Sequence, residues 1–345
     1  MTVVPTLSVV VCSYNGVAKL RACLDALVRQ RVPVDVVVVD DGSSDGTDAF
    51  ARSYGFSVIR HESNRGIAAA RNTGLVHATS AVVAFCDDDC TPPDDWAEQI
   101  VAAWTANPNV TVLGGLVEVD HPASFTERYL TFRNPLVPLE IALAHQPSVW
   151  YRFVRQLRPP WQSTTDAYSV YSVVGANMSM NRRRALEVGG FNEDLIFGEG
   201  EEIALCELVR ERFGEDSVVV DPRVQLAHRF DSSMLKTWRR SFAYGRGAGE
   251  RWRKQRGWPS LPAVGPAAVV VTAVLAPLSW PLGAVIGLAT LATPWAFWIS
   301  RPNTKRDAEV MSYPLVALID DLASVLGFTR GIRGEVGEGW KLRHR

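Results

Sequence analysis

The feature that most constrains the fold is a series of four short runs that are apolar throughout and are separated by segments of helical periodicity. A strand that is apolar along its whole length is buried on both faces, as in a parallel sheet covered by helices. The predicted strands are 7–12, 34–39, 56–60 and 81–85, and the predicted helices are 19–29, 47–54, 66–77 and 93–106. This order predicts a doubly wound α/β domain with a mainly parallel sheet.

Polar clusters stand directly after three of these strands. They read "CSYNG", "DDGSSDG" and "CDDDC". Because ligands of doubly wound domains bind beyond the carboxyl ends of the strands, the three clusters are expected to meet at one edge of the sheet. The sequence therefore predicts a binding site there.

The triple aspartate Asp87, Asp88 and Asp89 calls for a counter-charge, because adjacent carboxylates repel one another. Paired aspartates after a strand suit a hard divalent cation that leaves positions open for phosphate. A solvated acidic turn is the alternative, and Asp94 and Asp95 are expected to support the start of the next helix.

A second acidic pair, Asp40 and Asp41, ends the predicted strand 34–39. These carboxylates are candidates to accept hydrogen bonds from a nucleoside base or ribose. Arg71, on the predicted helix 66–77, either joins this site or forms a structural salt bridge to one of the two aspartates.

The charge distribution narrows the classes of partner. The formal net charge of −1 argues against a general nucleic-acid binder, but residues 229–256 hold nine Lys/Arg against two acids. A basic block next to an apolar segment indicates anionic lipid or a phosphorylated ligand. The five cysteines show no zinc-type spacing and are expected to be reduced, as in the cytosol.

The C-terminal third has the composition of a membrane-associated region. Residues 257–300 contain no charged side chain, so they could form two apolar helices of near-spanning length or, alternatively, a buried helical hairpin. Basic residues at both flanks place both ends on the cytoplasmic side. Within 301–345, one apolar stripe predicts an interfacial helix: Leu315, Leu318, Ile319, Leu322, Val325 and Leu326.

Taken in order, the motifs "SVVVCSYNG", "VVVVDDGSSDGT", "NRGIAAARNTGL", "AFCDDDCTPPDDW", "VVGANMSMNRRRALEVGGFNEDL" and "GEGEE" resemble the family-2 nucleotide-sugar glycosyltransferases of GT-A fold, over about residues 7–214. The resemblance implies a GT-A-like domain at 1–230, with a nucleotide-binding half at 1–112 and an acceptor half at 113–230. A basic amphipathic connector (231–256), an apolar helical hairpin (257–300) and an interfacial helix with a polar tail (301–345) would follow.

The resemblance also implies roles on the donor side. Ser13 and Tyr14 would lie beside the nucleobase, and Asp40 or Asp41 would hydrogen-bond it, with Arg71 nearby. Asp87 and Asp89 would form the DxD motif. Asp87 or Asp88 would face the ribose, and Asp89 would bind the Mg or Mn ion that bridges the donor diphosphate.

On the acceptor side, the resemblance implies that Gly175, Ala176 and Asn177 line the sugar site. Most relatives carry a Glu-Asp pair whose Asp deprotonates the acceptor hydroxyl, and the matching pair here is Glu201–Glu202. The catalytic base is therefore Glu202, Glu201 or Glu199. His228 is either a further metal or diphosphate ligand or a packed core residue.

These roles together imply a metal-dependent, inverting glycosyltransferase at the cytoplasmic face of the cell membrane, acting in cell-envelope biogenesis. Its acceptor would be a hydroxyl of a glycan or of a lipid-linked molecule. The alternatives are a synthase that loads a sugar onto polyprenyl phosphate and a catalytically inactive, membrane-tethered protein that binds sugar nucleotides.

Overall fold

The computed structural model describes residues 7–141, 166–195, 200–255, 273–275, 277, 279–299 and 308–334. The strands are β1 (Leu7–Ser13), β2 (Asp35–Asp40), β3 (Ser57–Arg60), β4 (Val82–Asp87), β5 (Cys90–Thr91), β6 (Val112–Val119), β7 (Tyr168–Ser169), β8 (Asn177–Asn181) and β9 (Val218–His228). The helices are α1 (Val17–Val28), α2 (Thr47–Arg52), α3 (Ile67–His77), α4 (Trp96–Ala106), α5 (Phe125–Phe132), α6 (Arg182–Glu187), α7 (Glu201–Phe213), α8 (Met234–Gln255), α9 (Trp280–Ile299) and α10 (Ala308–Arg333).

The described strands form one mixed sheet in the order β3-β2-β1-β4-β8-β6-β9-β5, with β7 paired to β9. The four predicted strands are β1 to β4, and they run parallel to one another. Strand β8 runs antiparallel to both of its neighbours, β4 and β6. The prediction of a mainly parallel doubly wound sheet is confirmed, and β8 makes it a mixed one.

Strand β1 lies at the point where the strand order reverses, because β2 and β3 extend from one side of it and β4 from the other. Ser13 at its end pairs with Asp40, and Cys12 pairs with Asp87. A crevice opens at such a switch point in doubly wound domains. The register of these strands therefore brings the three polar clusters to one edge of the sheet, as predicted.

Both faces of the sheet are covered, which explains why its strands are apolar throughout. Val9 and Val11 of β1 face one core, which also contains Trp96 of α4. Val10 faces the other, together with Phe85 of β4. All seven residues of β1 are buried, so either face would lose apolar burial if a polar residue replaced one of them.

Helices α8 and α10 pack against each other through glycines that permit close backbone approach. A Cβ placed on Gly245 would lie 1.9 Å from the Ser324 carbonyl oxygen, and one on Gly327 would lie 2.0 Å from the Phe242 carbonyl oxygen. Residues 231–256, predicted as a basic connector, therefore contain a 22-residue helix with a packed face.

Helix α10 is also tied to α5 by charged groups. Arg128 donates to both carboxylate oxygens of Glu309 at 2.8 Å, and Arg133 pairs with the buried Asp321. Two ion pairs and the glycine contacts thus hold one side of α10 against the rest of the protein.

The other side of α10 is apolar and exposed. Met311, Leu315, Ile319 and Leu326 are each at least 45% exposed. The segment Glu309–Arg333 is long and apolar enough to cross a membrane, judged by length and composition alone. Helix α9 lies within the predicted hairpin 257–300, whereas residues 257–272 of that prediction lie outside the described part of the chain.

Candidate active site

A cavity of about 420 Å³ lies at the predicted edge of the sheet. Tyr14 and Lys19 line it from the first polar cluster and the start of α1. The triple aspartate and His228 line it from β4, β5 and β9, and the first half of α8 lines it from the C-terminal region. Three segments far apart in sequence therefore share one site.

The three aspartates face different partners. Asp87 ends β4 and accepts a hydrogen bond from Arg71, whereas Asp88 accepts one from the Ser13 hydroxyl. Burial raises the pKa of Asp88 to about 7, and the neighbouring charge of Asp89 acts in the same direction. The Asp88 carboxylate also lies close to the backbone of Gly16, where an added Cβ would be 2.1 Å from Asp88 Oδ2.

Asp89 is the aspartate with a basic side chain beside each of its two oxygens. Its Oδ1 lies 3.1 Å from His228 Nε2, and its Oδ2 accepts a hydrogen bond of 2.9 Å from Lys19 Nζ. Burial alone would raise the pKa of Asp89, but His228 and Lys19 hold it well below its usual range. The antiparallel pairing of Cys90 with His228 places the imidazole there.

This arrangement fits a divalent cation. One ligand atom from each of Asp89, Cys90 and His228 lies within 4.8 Å of the others. A carboxylate oxygen and an imidazole nitrogen are ligands that Mn²⁺ accepts. Cys90 is fully buried, and burial raises the pKa of its thiol to about 12, so the metal-binding thiolate form is disfavoured. Asp89 and His228 are therefore the residues that could hold the ion.

Arg71 contacts Asp87 and Glu201 rather than Asp40 and Asp41 of the second polar cluster. Its Nη1 donates to Glu201 at 2.7 Å and its Nη2 to Asp87 at 3.2 Å, with 5% of the side chain exposed. The alternative of a salt bridge to Asp40 or Asp41 is wrong for this reason.

Gly175 is the residue that makes room for this guanidinium. A Cβ at position 175 would lie 2.6 Å from Arg71 Nη2. The residue predicted to line the acceptor side is therefore packed against the Arg71 ion pair.

The candidate bases differ in burial. Glu201 and Glu202 begin α7, and Glu201 is buried against Arg71 whereas Glu202 is partly exposed. Burial raises the pKa of Glu201, and so does the charge of Glu202, while Arg71 opposes both. Glu199 lies outside the described residues, and neither described glutamate is among the residues that line the cavity.

The two acids of the second cluster also differ. Asp41 accepts backbone hydrogen bonds from Arg65 and Gly66, and its Oδ1 lies 2.7 Å from His61 Nδ1. Asp40 Oδ1 accepts one from the backbone of Ser43, but its buried Oδ2 has no hydrogen-bond partner among the described residues. This Oδ2 instead lies 3.6 Å from Arg60 Nε, so Asp40 forms an ion pair there.

Ala176 and Asn177 are buried inside the domain. The Asn177 side chain accepts from Trp96 Nε1 at 3.0 Å and donates to the carbonyl oxygens of Leu116 and Val224. Its amide therefore links β8 to α4 and to two other strands.

Several cavity residues were not predicted from the sequence. Lys19 follows the "SYNG" cluster by three residues, and this proximity was the only signal for it. Phe230 packs between His228, at 4.4 Å between ring centroids, and the Arg240 guanidinium, at 4.6 Å from its ring. No sequence pattern pointed to Thr237 and Tyr244, because only the tertiary position of α8 brings them to the cavity.

Known proteins share sequence and fold with this chain. The family model of glycosyl transferase family 2 matches residues 8–184. Glycosyltransferase AglE of Haloferax volcanii is 34% identical over 162 residues, which are 44% of this chain and 53% of AglE. The glucosyl-dolichyl phosphate glucuronosyltransferase of the same organism is 26% identical over 64% of this chain and 68% of its own. The match to AglE thus spans about half the length of that relative.

Among solved structures, the mannosyltransferase PcManGT from Pyrobaculum calidifontis, in complex with GDP-Man and Mn²⁺, superposes with a TM-score of 0.58. The match covers 97% of this chain and 89% of PcManGT at 17% identity, and it supports the GT-A fold. The family model covers just over half of the chain and contains the strands that form the acidic edge. The chain belongs to glycosyl transferase family 2.

Proposed function

We propose that this enzyme transfers a sugar, with inversion, from a nucleotide-diphosphate sugar to a hydroxyl of a cell-envelope glycan or of a lipid-linked acceptor. The observation that carries the proposal is the convergence of Asp89 and His228 beside an open cavity at the switch point of the sheet. Inversion follows from a single in-line attack on the face opposite the leaving diphosphate.

The donor would bind at the edge of the sheet where the three polar clusters lie. Tyr14 is exposed and lines the cavity, so its ring can stack on a nucleobase. Asp40, whose Oδ2 lies 3.6 Å from Arg60 Nε but makes no hydrogen bond among the described residues, would accept one from the base, and the cavity-lining Asp87 and Asp88 would face the ribose. Arg71 holds Asp87 in position through its ion pair with that carboxylate.

Asp89 and His228 would hold a cation, Mg²⁺ or Mn²⁺, beside the donor diphosphate. When bound, such an ion stabilises the negative charge that develops on the leaving nucleoside diphosphate. Lys19 adds a positive charge at the same carboxylate, 2.9 Å from Asp89 Oδ2. The cation and Lys19 would then both stabilise the charge on the leaving group.

Glu202 is the proposed general base, which accepts the proton of the acceptor hydroxyl as it attacks. Glu202 is partly exposed and accepts a hydrogen bond of 3.4 Å from the Gly200 backbone, whereas Glu201 is buried and accepts a hydrogen bond from Arg71. Glu201 then anchors the start of α7, so that the next residue is held in place.

The lipid-linked acceptor and the location at the cytoplasmic face of the cell membrane form part of the same proposal. The exposed apolar side of α10 supports it, as does the basic block next to the apolar segment. A relative whose name includes glucosyl-dolichyl phosphate supports a lipid-linked substrate. The same observation favours a second candidate, a polyprenyl-phosphate sugar synthase, whose phosphate acceptor needs no general base.

A screen of nucleotide sugars by thermal shift, with and without Mn²⁺, would identify the donor, since a bound ligand stabilises the folded protein. Transfer or hydrolysis of that donor should then fall at least about 100-fold in Asp89→Ala. Asp94→Ala removes an exposed carboxylate next to the motif and is the matched control. Full transfer activity in Asp89→Ala would refute the metal site.

Glu202→Gln separates the two candidate acceptors. A hydroxyl acceptor predicts a loss of about 100-fold or more, which is the size of general-base catalysis. Unchanged activity with a polyprenyl phosphate acceptor would instead establish the synthase. If no nucleotide sugar binds, the protein is an inactive member of the family and the proposal fails.

A further inference from the structure

Helix α8 presents one face to the cavity at its N-terminal end. Lys236, Thr237, Arg240 and Tyr244 line the cavity, and the spacings of three and four residues from Thr237 to Arg240 and Tyr244 place these three on one side of the helix. The family model ends at residue 184, well before this helix. The cavity therefore has a wall that lies outside the family match.

The Thr237 hydroxyl is a buried polar group beside the cavity. The residue is 2% exposed, and its Oγ1 has no hydrogen-bond partner among the described residues, although it borders the cavity. Buried hydroxyl groups are normally hydrogen-bonded, and an exception calls for a ligand or another explanation. Here the adjoining cavity offers the space for one.

Arg240 brings a positive charge to the same wall. Its guanidinium is stacked over Phe230, and its Nε is buried without a hydrogen-bond partner in the described part of the chain. Lys236 differs, because its ammonium lies 2.5 Å from Asp231 Oδ2. Arg240 thus has a buried donor without a described partner, whereas the Lys236 ammonium is exposed and already pairs with Asp231.

The N-terminal backbone of α8 also favours an anion at this wall of the cavity. Lys236 and Thr237 lie in its first turn, where the amide groups and the helix dipole favour an anion. A hydroxyl, a guanidinium and a helix N-terminus together match a group with several acceptor oxygens, and the guanidinium fork suits phosphate in particular. A neutral sugar would leave the charge of Arg240 without a partner.

We propose that Thr237 and Arg240 form a phosphate-binding subsite, separate from the cation ligands Asp89 and His228. The inference rests on the proposed function in one respect, namely that the phosphate belongs to a substrate of sugar transfer. It is either the diphosphate of the donor or the phosphate of a lipid-linked acceptor. The second source also agrees with the packing of α8 against α10, whose outer side is apolar.

Two variants test the subsite without disrupting the fold. Thr237→Val keeps the side-chain shape and removes a hydroxyl that has no partner among the described residues, so the thermal stability of the protein should be unchanged or higher. Arg240→Met removes the charge and keeps an apolar stem against Phe230. Arg239→Ala is the matched control, since this neighbour is exposed and does not line the cavity.

Two probes distinguish the sources of the phosphate, and both are titrated into the full-length protein by calorimetry. Inorganic pyrophosphate with Mn²⁺ represents the donor. Farnesyl phosphate without metal represents the acceptor, with farnesol as its phosphate-free counterpart. Each variant should weaken at least one probe about tenfold, the effect of one charge-assisted hydrogen bond, while Arg239→Ala binds as the wild type does.

The pattern of losses assigns the phosphate. A loss confined to pyrophosphate assigns the subsite to the donor, and a loss confined to farnesyl phosphate assigns it to the acceptor. The proposal is overturned if both variants bind both probes within about twofold of the wild type, or if the wild type binds neither probe. No turnover is needed, so a subsite confirmed in an enzyme without transferase activity would refute the proposed function alone.

Discussion

Gly175→Ala offers a sharp test of the buried ion pair at the centre of the site. The added Cβ would lie 2.6 Å from Arg71 Nη2, whereas carbon and nitrogen atoms in ordinary contact are about 3.4 Å apart or more. The guanidinium must therefore move by about 0.8 Å. It is held by Glu201 at 2.7 Å and Asp87 at 3.2 Å, so this shift takes at least one bond beyond hydrogen-bonding distance.

The expected cost is about 2 kcal/mol, the size of one charge-assisted hydrogen bond. For a domain of about 200 residues, this lowers the melting temperature by roughly 4–8 °C. Transfer activity should fall as well, because Glu201 fixes the start of α7 next to the proposed base Glu202.

A double-mutant cycle with Arg71→Lys isolates the cause. Lysine has no guanidinium fork at that point, so the methyl group added by Gly175→Ala should cost almost nothing in the Arg71→Lys background. Thermal unfolding of the four proteins measures this coupling. An equal loss of melting temperature in both backgrounds would refute the clash between the added methyl group and Arg71 as the origin of the effect.

Three further changes test other parts of the structure. Asn177→Ala leaves Trp96 Nε1 and two carbonyl groups unpaired in the core, so it should lower the free energy of unfolding by about 2–4 kcal/mol, as measured by urea denaturation. Gly327→Val brings a side chain against the Phe242 carbonyl oxygen, should cost at least about 1–3 kcal/mol, and should make α10 cleavable in limited proteolysis. Glu201 has its folded-state pKa raised from 4.5 to about 8, so the stability it contributes is present below the lower value and is lost as pH rises through this window. The melting temperature of the wild type should therefore fall relative to that of Glu201→Gln between about pH 5 and pH 8; a constant difference would contradict this pKa shift.

The sheet and the acidic edge could be predicted from the sequence, because buried parallel strands are apolar throughout and their ends carry the polar clusters. The resemblance to a known family gave Asp89 and His228 as metal candidates, but only the pairing of β5 with β9 shows them 3.1 Å apart. The two residues are 139 positions apart, and no local pattern records that distance.

Two other features depend on tertiary contacts that local pattern does not contain. The partners of Arg71 come from β4 and α7, so the sequence offered Asp40 and Asp41 as equally reasonable choices. The wall formed by α8 requires that helix to pack against α10 with its N-terminal half at the cavity. The glycines of α8 alone do not predict this close packing, because the partner helix α10 lies far along the sequence.

The central claim is that Asp89 and His228 hold a cation that binds the donor diphosphate, and metal-dependent nucleotide binding tests it most directly. The nucleoside diphosphate of the donor identified by screening is titrated calorimetrically into the wild type, His228→Ala and Asp94→Ala, each with and without Mn²⁺. The account predicts that the wild type and Asp94→Ala bind at least about tenfold more tightly with Mn²⁺, and that His228→Ala loses this gain. Equal affinity with and without Mn²⁺ in the wild type, or an undiminished gain in His228→Ala, would contradict it.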